Sequence, residues 1–447
     1  MGDDWTYSSQ PPRPGWGVHA PSLKAATRGV SIRATPLPGQ ACVPLLRTGG
    51  EVATPLVGAG SRVLTGQPIA RSASGETLCA PLSGTLSGTV VRLVAVPAPA
   101  AVPTLTIESD GEDAWHPDCR PVTTPLALTP AAIRSRIAAA GIAGLGGALF
   151  PTAAKLDAGT SIQALIVNGA ECEPWITCDE ILLRERAAHV IAGCRIMMHA
   201  LGAKHAVIAV ETDMPEARIA LHDALTAMQD PRIGIAVVTA KYPAGGERQL
   251  IELVTGREVP AGALPKDIGY VCQNAGTAAA VADLFLLGRP LIARIVTVTG
   301  GGVASPGNYE VRLGTPIADV IAAAGGYRGE PRRLIAGGPM MGFALPDDDM
   351  PVTRATNCIV AALGDEVAAP RPEMPCIRCG DCVQVCPAHL LPQELVAAAR
   401  REDAAALTDL GLDACIECGC CDYVCPSMIP LTATFVAARA AARTSAS

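Results

Sequence analysis

Apolar and polar positions change their period several times along this chain, and each change predicts a different kind of structure. From about residue 41 to 97, short apolar segments alternate with Gly and Pro, which predicts small β structure. The run Val96-Pro-Ala-Pro-Ala-Ala-Val-Pro103 reads as a loop or connection. From about residue 130 to 288, helical patterns alternate with short, continuously apolar runs. Helices are predicted over 131–140, 187–201 and 216–228, and strands over 164–167, 206–210 and 234–239. Strand–helix–strand alternation argues for a parallel sheet and therefore an α/β domain. Residues 290–346 return to short strands with one Ala-rich helix at 317–324. Beyond them, a helix over 392–401 bridges two cysteine-rich loops and another over 431–443 follows.

Composition narrows this picture. A chain of 447 residues allows about three domains, each able to bury a core. Hydrophobic content is 49%, yet no run reaches the roughly 18 apolar residues of a membrane span. The best run, 278–287, contains Asp283 and stops at Gly288-Arg289-Pro290. The opening Met1-Gly2-Asp3-Asp4-Trp5 lacks the basic start and apolar centre of a secretory signal, so a cytoplasmic location is expected. A net charge of −7 with no basic run offers nucleic acid no footing.

Two cysteine runs carry the most specific chemistry. The first reads Cys376-Ile-Arg-Cys379-Gly-Asp-Cys382-Val-Gln-Val-Cys386-Pro387, the second Cys415-Ile-Glu-Cys418-Gly-Cys420-Cys421-Asp-Tyr-Val-Cys425-Pro426. Each fits C-x2-C-x2-C-x3-C-P, in which three close thiolates cap one face of a cubane cluster and the fourth reaches the neighbouring cluster. This spacing predicts one [4Fe–4S] centre on Cys376, Cys379, Cys382 and Cys425, and another on Cys415, Cys418, Cys421 and Cys386. A closed zinc site needs only two C-x2-C pairs and leaves the third cysteine and the Cys-Pro of each run without a purpose. Of the 17 cysteines, Cys420 is an extra thiol inside the second run with no place in the spacing. Cys172 and Cys178 read as buried thiols rather than metal ligands. The histidines show no paired metal spacing, and Asp347-Asp-Asp349 reads as a solvated loop.

Four further segments carry glycine and polar residues that packing alone does not require. One is Gly141-Ile-Ala-Gly144-Leu-Gly146-Gly147-Ala-Leu-Phe150-Pro-Thr-Ala-Ala-Lys155. Glycines let backbone N–H groups approach an anion, and a Lys adds a point charge. It is neither a G-x-G-x-x-G dinucleotide loop nor a Walker loop. The second, Asn168-Gly-Ala-Glu171-Cys-Glu173-Pro174, directly follows a predicted strand. So does the third, Lys241-Tyr242-Pro-Ala-Gly245-Gly246-Glu247-Arg-Gln-Leu250. The fourth is Gln273-Asn274-Ala-Gly276-Thr277. Residues beyond the carboxyl ends of parallel strands line a ligand crevice, so a shared site is expected.

With these loops and both cluster motifs, the chain resembles the C subunits of the Rnf complexes, membrane-bound ferredoxin–NAD oxidoreductases. More distantly it is similar to the NADH-binding flavoprotein subunit of respiratory complex I. The resemblance starts at Gly17-Val18-His19, runs through Gly337-Gly-Pro-Met-Met-Gly342, and covers nearly the whole chain. It implies a non-covalent FMN held by the glycine loop with Gly144, Gly146 and Gly147, and by Lys155, Asn168, Gly245 and Asn274. It places NAD(H) over the flavin ring with Phe150, Glu173 and Glu247 in the pocket, and it counts Glu171, Tyr242, Gly246, Gln273 and Thr277 among the cofactor-binding residues. Segments 57–70 and 80–90 resemble the halves of a lipoyl-type barrel-sandwich fold, with Ser83 and Gly84 at the hairpin tip where a carrier has Lys, hence a scaffold role.

The implied architecture is a barrel-sandwich-like region at 1–125, a Rossmann-like FMN/NADH domain at 126–289 and a β-grasp (SLBB-type) domain at 290–346. A connection at 347–365 leads to a ferredoxin-like two-cluster domain at 366–447. The implied function is hydride exchange between NAD(H) and FMN, with single electrons passing through two [4Fe–4S] clusters to or from membrane partners. Partners would be integral-membrane and ferredoxin-like subunits of the complex, and indirectly ferredoxin or flavodoxin, with the chain peripheral on the cytoplasmic face of a bacterial inner membrane. A cobalamin reductase of bacterial microcompartments shares these motifs, and an electron-wiring subunit without NADH chemistry is a further alternative. Two positions depart from the family: Leu149 stands where Gly is usual, and Ala170 replaces the Asp of the complex I relative.

Overall fold

The computed structural model describes residues 11–47, 50–95, 99–369 and 371–445. At its centre lies a parallel sheet of β1 (Ala164–Asn168), β2 (His205–Glu211), β3 (Ile233–Val238) and β4 (Tyr270–Asn274), in the order β3-β2-β1-β4. The strand interiors are mostly apolar because both faces are covered. Leu165, Val167, Ile208 and Val210 pack into one core, whereas Ala164, Ile166, Val207 and Ala209 pack into another.

The helices are α1 (Pro130–Ala139), α2 (Cys178–Glu185), α3 (Ala187–Leu201), α4 (Pro215–Met228), α5 (Glu247–Thr255) and α6 (Ala275–Ala282). Local chemistry sets several ends. Thr129 caps α1 by accepting from Ala132 N–H at 3.3 Å, and Pro130 follows at the first helical position. Gly202 and Gly256 end α3 and α5 in the left-handed conformation. Helices α3 and α6 cross so closely that a Cβ at Gly193 would overlap the Ala278 carbonyl oxygen. Strand order reverses between β1 and β4, so connections diverge there and open a crevice at the strands' carboxyl ends.

The amino-terminal region is a two-sheet sandwich around Val43, Val63, Ile69, Leu82, Leu86, Leu105 and Ile107. Two expectations are corrected here. Residues 99–103 are not a loop: Pro99–Ser109 is a long strand paired antiparallel with Gly84–Ala95, while 96–98 lie outside the described residues. Ser83 and Gly84 do not form an exposed tip. Ser83 is buried and donates to Asp110 at 2.6 Å, and Gly84 begins the strand.

The third domain is built on a six-stranded sheet, in the order Arg33–Ala34, Gly307–Arg312, Ala293–Thr299, Cys358–Ala362, Arg333–Ala336, Phe343–Leu345. The expected connection at 347–365 is therefore wrong, because Cys358–Ala362 is a fully buried inner strand of this sheet. A short, wholly apolar run has no period of its own, and pairing with two distant strands decides its place. Residues 33–34, expected in the barrel region, form this sheet's edge. The cysteine-rich segment packs Pro392–Arg400 and Leu431–Ser445 around Leu395, Leu407, Leu412 and Phe435. Among the described residues no helix is long and apolar enough to cross a membrane.

Candidate functional site

All four glycine and polar segments meet at the carboxyl ends of β1 and β4, and the fourth also proves to follow a strand end. Asn168 and Asn274 are register partners closing these two strands. Asn168 Nδ2 donates to the Gly245 carbonyl at 2.8 Å, tying the second segment to the third. Asn274 Oδ1 accepts from Gly276 N–H at 2.8 Å and caps α6, while its Nδ2 donates to Asp179 at 2.6 Å. The glycine loop lies on this corner: Thr277, fully buried, accepts from Leu145 N–H at 2.9 Å, and Gly146 leaves only 3.4 Å to the Asn274 side chain for a Cβ. Lys155, ending the short helix Thr152–Lys155, pairs at 2.5 Å with Glu247, the first residue of α5. Gly246 precedes that helix as its N-cap.

The loop's own geometry opens it to the crevice. Gly147 has φ +109 with no atom within 4 Å of where a Cβ would stand. Phe150 is 48% exposed, so this ring is not core. Leu149 adopts φ +54, the region that favours glycine, and its side chain is buried. Gln273 is buried, and its Nε2 has no partner among the described residues; nor has the Thr152 hydroxyl.

Three of the expected residues are committed elsewhere. The Glu171 carboxylate accepts from Asp179 N–H at 3.0 Å, Glu180 N–H at 3.2 Å and the Cys178 thiol at 3.2 Å, capping α2. Donor atoms of Glu171, Cys178 and Asp179 lie within 4.8 Å of one another, a proximity this cap accounts for. Glu173 reaches the third domain, accepting from Met340 N–H at 3.2 Å and Met341 N–H at 2.8 Å. Tyr242 is buried, and its hydroxyl donates to the Cys418 carbonyl at 2.6 Å. Cys172 is a half-buried thiol whose sulfur accepts from Gly245 N–H at 3.3 Å.

Burial dominates the electrostatics. It pushes Glu173 up to about 7 against two opposing N–H groups, and Glu211 up to about 8. Asp179 is pushed up by burial and then by the Glu171 carboxylate. The buried Lys24, which sequence reasoning missed, donates to the Glu171 carbonyl. Burial alone would lower it, but the carboxylates of Glu171, Glu211, Asp213 and Glu180 together hold it above its ordinary value. Nothing local to Lys24 signals this, since its partners lie more than a hundred residues away.

The cysteines gather in two groups. One cavity is lined by Cys376, Cys379, Cys382 and Cys425, with Cys376 and Cys379 exposed. The other is lined by Cys386, Cys415, Cys418 and Cys421, together with Cys420. The first run thus contributes three thiols to one cavity and one to the other, and the second contributes four, Cys420 included, and one. Cys420 is fully buried and packs with Val18, Tyr242 and Cys418 on the side facing the α/β domain. The cluster segment is held there from two sides: Gly17 N–H donates to the Val385 carbonyl at 2.9 Å, and Gln249 of α5 donates to the Pro387 carbonyl at 3.4 Å.

Comparisons with known proteins fit this arrangement. The Nuo51 FMN-binding domain family matches residues 137–283, the SLBB domain 295–344, the RnfC barrel sandwich hybrid domain 15–112 and the 4Fe-4S dicluster domain 375–429. The chain therefore carries an FMN-binding domain and a 4Fe-4S dicluster domain. The C subunit of the ion-translocating oxidoreductase complex of Pseudomonas aeruginosa is 47% identical over 385 residues, covering 85% of this chain and 49% of that protein. Its counterpart from Erwinia tasmaniensis is 43% identical, covering 87% and 48%, and that from Haemophilus influenzae is 43% identical, covering 94% and 63%. The chain thus spans about half the length of the first two curated relatives. Among solved structures, an NAD+-reducing [NiFe]-hydrogenase in the H2-reduced state is 22% identical with a TM-score of 0.49, over 72% of this chain and 64% of that one. With four domain families in the same order and relatives this similar over most of its residues, the chain belongs to the family of C subunits of ion-translocating oxidoreductase complexes.

Proposed function

We propose that this chain exchanges electrons between NAD(H) and the other subunits of an Rnf-type complex, using FMN and two [4Fe–4S] clusters. The residues fit a flavin mononucleotide: an open glycine backbone at Gly147, a cation at Lys155 and an orphaned buried amide at Gln273 lie on the segments that meet at the carboxyl ends of β1 and β4. Gly144, Gly146, Asn168, Gly245, Gly246, Asn274 and Thr277 shape its walls, either directly or by fixing the loops that do. FMN, when bound, supplies the conversion between a hydride pair and single electrons that clusters need. Phe150 offers an exposed face against which a nicotinamide stacks, and Glu247 holds Lys155 and faces the same opening. The protein's contribution is positioning and electrostatics rather than proton transfer.

One observation carries the reading. The segment from Tyr242 to Gln249 carries the crevice residues Gly245, Gly246 and Glu247 between two residues that hydrogen-bond the cluster loops, Tyr242 to the Cys418 carbonyl and Gln249 to the Pro387 carbonyl. The cluster on Cys386, Cys415, Cys418 and Cys421 is therefore the inner relay, next to the flavin. The cluster on Cys376, Cys379, Cys382 and Cys425 is the outer one, with Ile377 and Met374 exposed beside it for a partner. Membrane association comes through that partner, on the cytoplasmic face, and ferredoxin or flavodoxin is reached indirectly. The test is a diaphorase assay with NADH and ferricyanide. Glu247→Ala should lose activity while retaining FMN; unchanged kinetics would remove Glu247 from the site. A bound flavin that NADH fails to bleach would overturn the nucleotide chemistry and leave an electron-wiring subunit.

A further inference from the structure

A second site lies beneath the glycine loop, where three domains meet. Arg47, Glu76 and Arg354 are all buried, at 3%, 5% and 7% exposure. Arg47 Nε donates to Glu76 at 3.1 Å and its Nη2 pairs with the same carboxylate. Arg354 Nη1 donates to Glu76 at 2.6 Å and to the Gly141 carbonyl at 3.2 Å. Two guanidinium groups thus share one carboxylate. Glu51, the other acid within electrostatic range of Arg47, is half-buried and accepts from the Ser74 hydroxyl and the Ala73 N–H. Arg294, also buried, donates to the Arg354 carbonyl.

An uncompensated buried charge is costly, and a guanidinium does not shed its proton to escape. Burial and then the Arg354 charge act to pull Arg47 down to about 8. Beside the pair lies a cavity of about 40 Å³, lined by both arginines, Thr77, Leu78, Leu149 and Val352. Thr77 is 1% exposed, and its hydroxyl has no partner among the described residues. We propose that this cavity binds a small monovalent anion of halide size, held by Arg47, Arg354 and the Thr77 hydroxyl. The volume admits such an ion but no nucleotide, whose pockets start at about 300 Å³. Mostly apolar walls favour a weakly hydrated anion such as chloride or bromide over fluoride or sulfate. Arg47 and Thr77 come from the barrel region, Leu149 and Gly141 from the flavin domain, and Arg354 from the third, so the ion fastens all three under the flavin loop. This inference is independent of the electron-transfer reading.

The test uses the flavin- and cluster-loaded protein crystallised in bromide. A bromide anomalous peak is expected between Arg47, Arg354 and Thr77, and its absence would overturn the proposal. In solution, the unfolding temperature should rise saturably with sodium bromide relative to sodium gluconate at equal ionic strength. Thr77→Val, which keeps the fold, should shift half-saturation to roughly tenfold higher bromide. Arg47→Met should abolish the halide response. A halide response that survives Thr77→Val unchanged, or equal unfolding temperatures in bromide and gluconate, refutes the site even if Arg47→Met fails to fold.

Discussion

Leu149 shows how a single residue can break a local rule and remain. Its φ of +54 costs about 1–2 kcal/mol for a side chain with a Cβ. Its side chain is also buried, and removing a buried leucine costs about 2–5 kcal/mol. The second term is larger, so Leu149→Gly should lower stability by roughly 1–3 kcal/mol, measured by urea unfolding, despite restoring the family's usual residue. A stabilised variant would mean that backbone strain dominates. Glu173 makes a second prediction. Its ordinary value of 4.5 is raised to about 7 in the fold, so its neutral form favours the folded state below about 4.5, and that stability is lost as pH rises through about 7. Glu173→Gln, which cannot ionise, should remove this component, so the unfolding temperature of wild type should fall relative to the variant across that window. Parallel curves for the two proteins would show that Glu173 is ionised throughout. The sequence marks Leu149 only as a departure from the family, because φ is a property of the loop's closure and not of the residue.

At the scale of elements, the crossing of α3 and α6 depends on Gly193. A methyl group there meets the Ala278 backbone, which cannot rotate away as a side chain could. Gly193→Ala should therefore destabilise by about 3 kcal/mol, at the upper end for overpacking, although alanine is the better helix former. A neutral effect on the denaturation midpoint would show that the helices can separate. The start of α2 rests on Glu171, which accepts from two backbone N–H groups and a thiol. Glu171→Ala should cost about 1–2 kcal/mol of unfolding free energy while flavin content is retained. Flavin loss at unchanged stability would instead return Glu171 to the cofactor. Helices and strands of the central domain are legible in the sequence because their apolar period is local. The strand Pro99–Ser109 is not, because its Pro- and Ala-rich start is held straight by Gly84–Ala95, and Cys358–Ala362 is not, because an unbroken apolar run carries no register.

For the whole molecule, the two cysteine cavities are cross-linked by sequence. Cys386 belongs to the first run but lines the cavity of the second. Cys386→Ser should therefore cut the iron content by about half and remove the inner cluster, leaving the outer cluster's spectrum intact and NADH reduction of the flavin unimpaired. Electron transfer from NADH onward to the outer cluster should then fail. Loss of the outer cluster instead would reverse the assignment of the fourth ligands.

Residue order alone suffices for the local chemistry: the cysteine spacing, the α/β alternation, the glycine and asparagine loops and the family they resemble. Those signals are short-range, set by residues a few positions apart whose partners or periods lie within one segment. Which acids stay free for a ligand is settled only by folding. The fold turns Glu171 into a helix cap and Glu173 into a link to another domain, buries Lys24 among four carboxylates, and joins Tyr242 to the inner cysteine loop. It also places two buried arginines on one glutamate. Each of these depends on groups brought together across long stretches of chain, where burial and closing geometry, rather than sequence neighbours, set charge and contact.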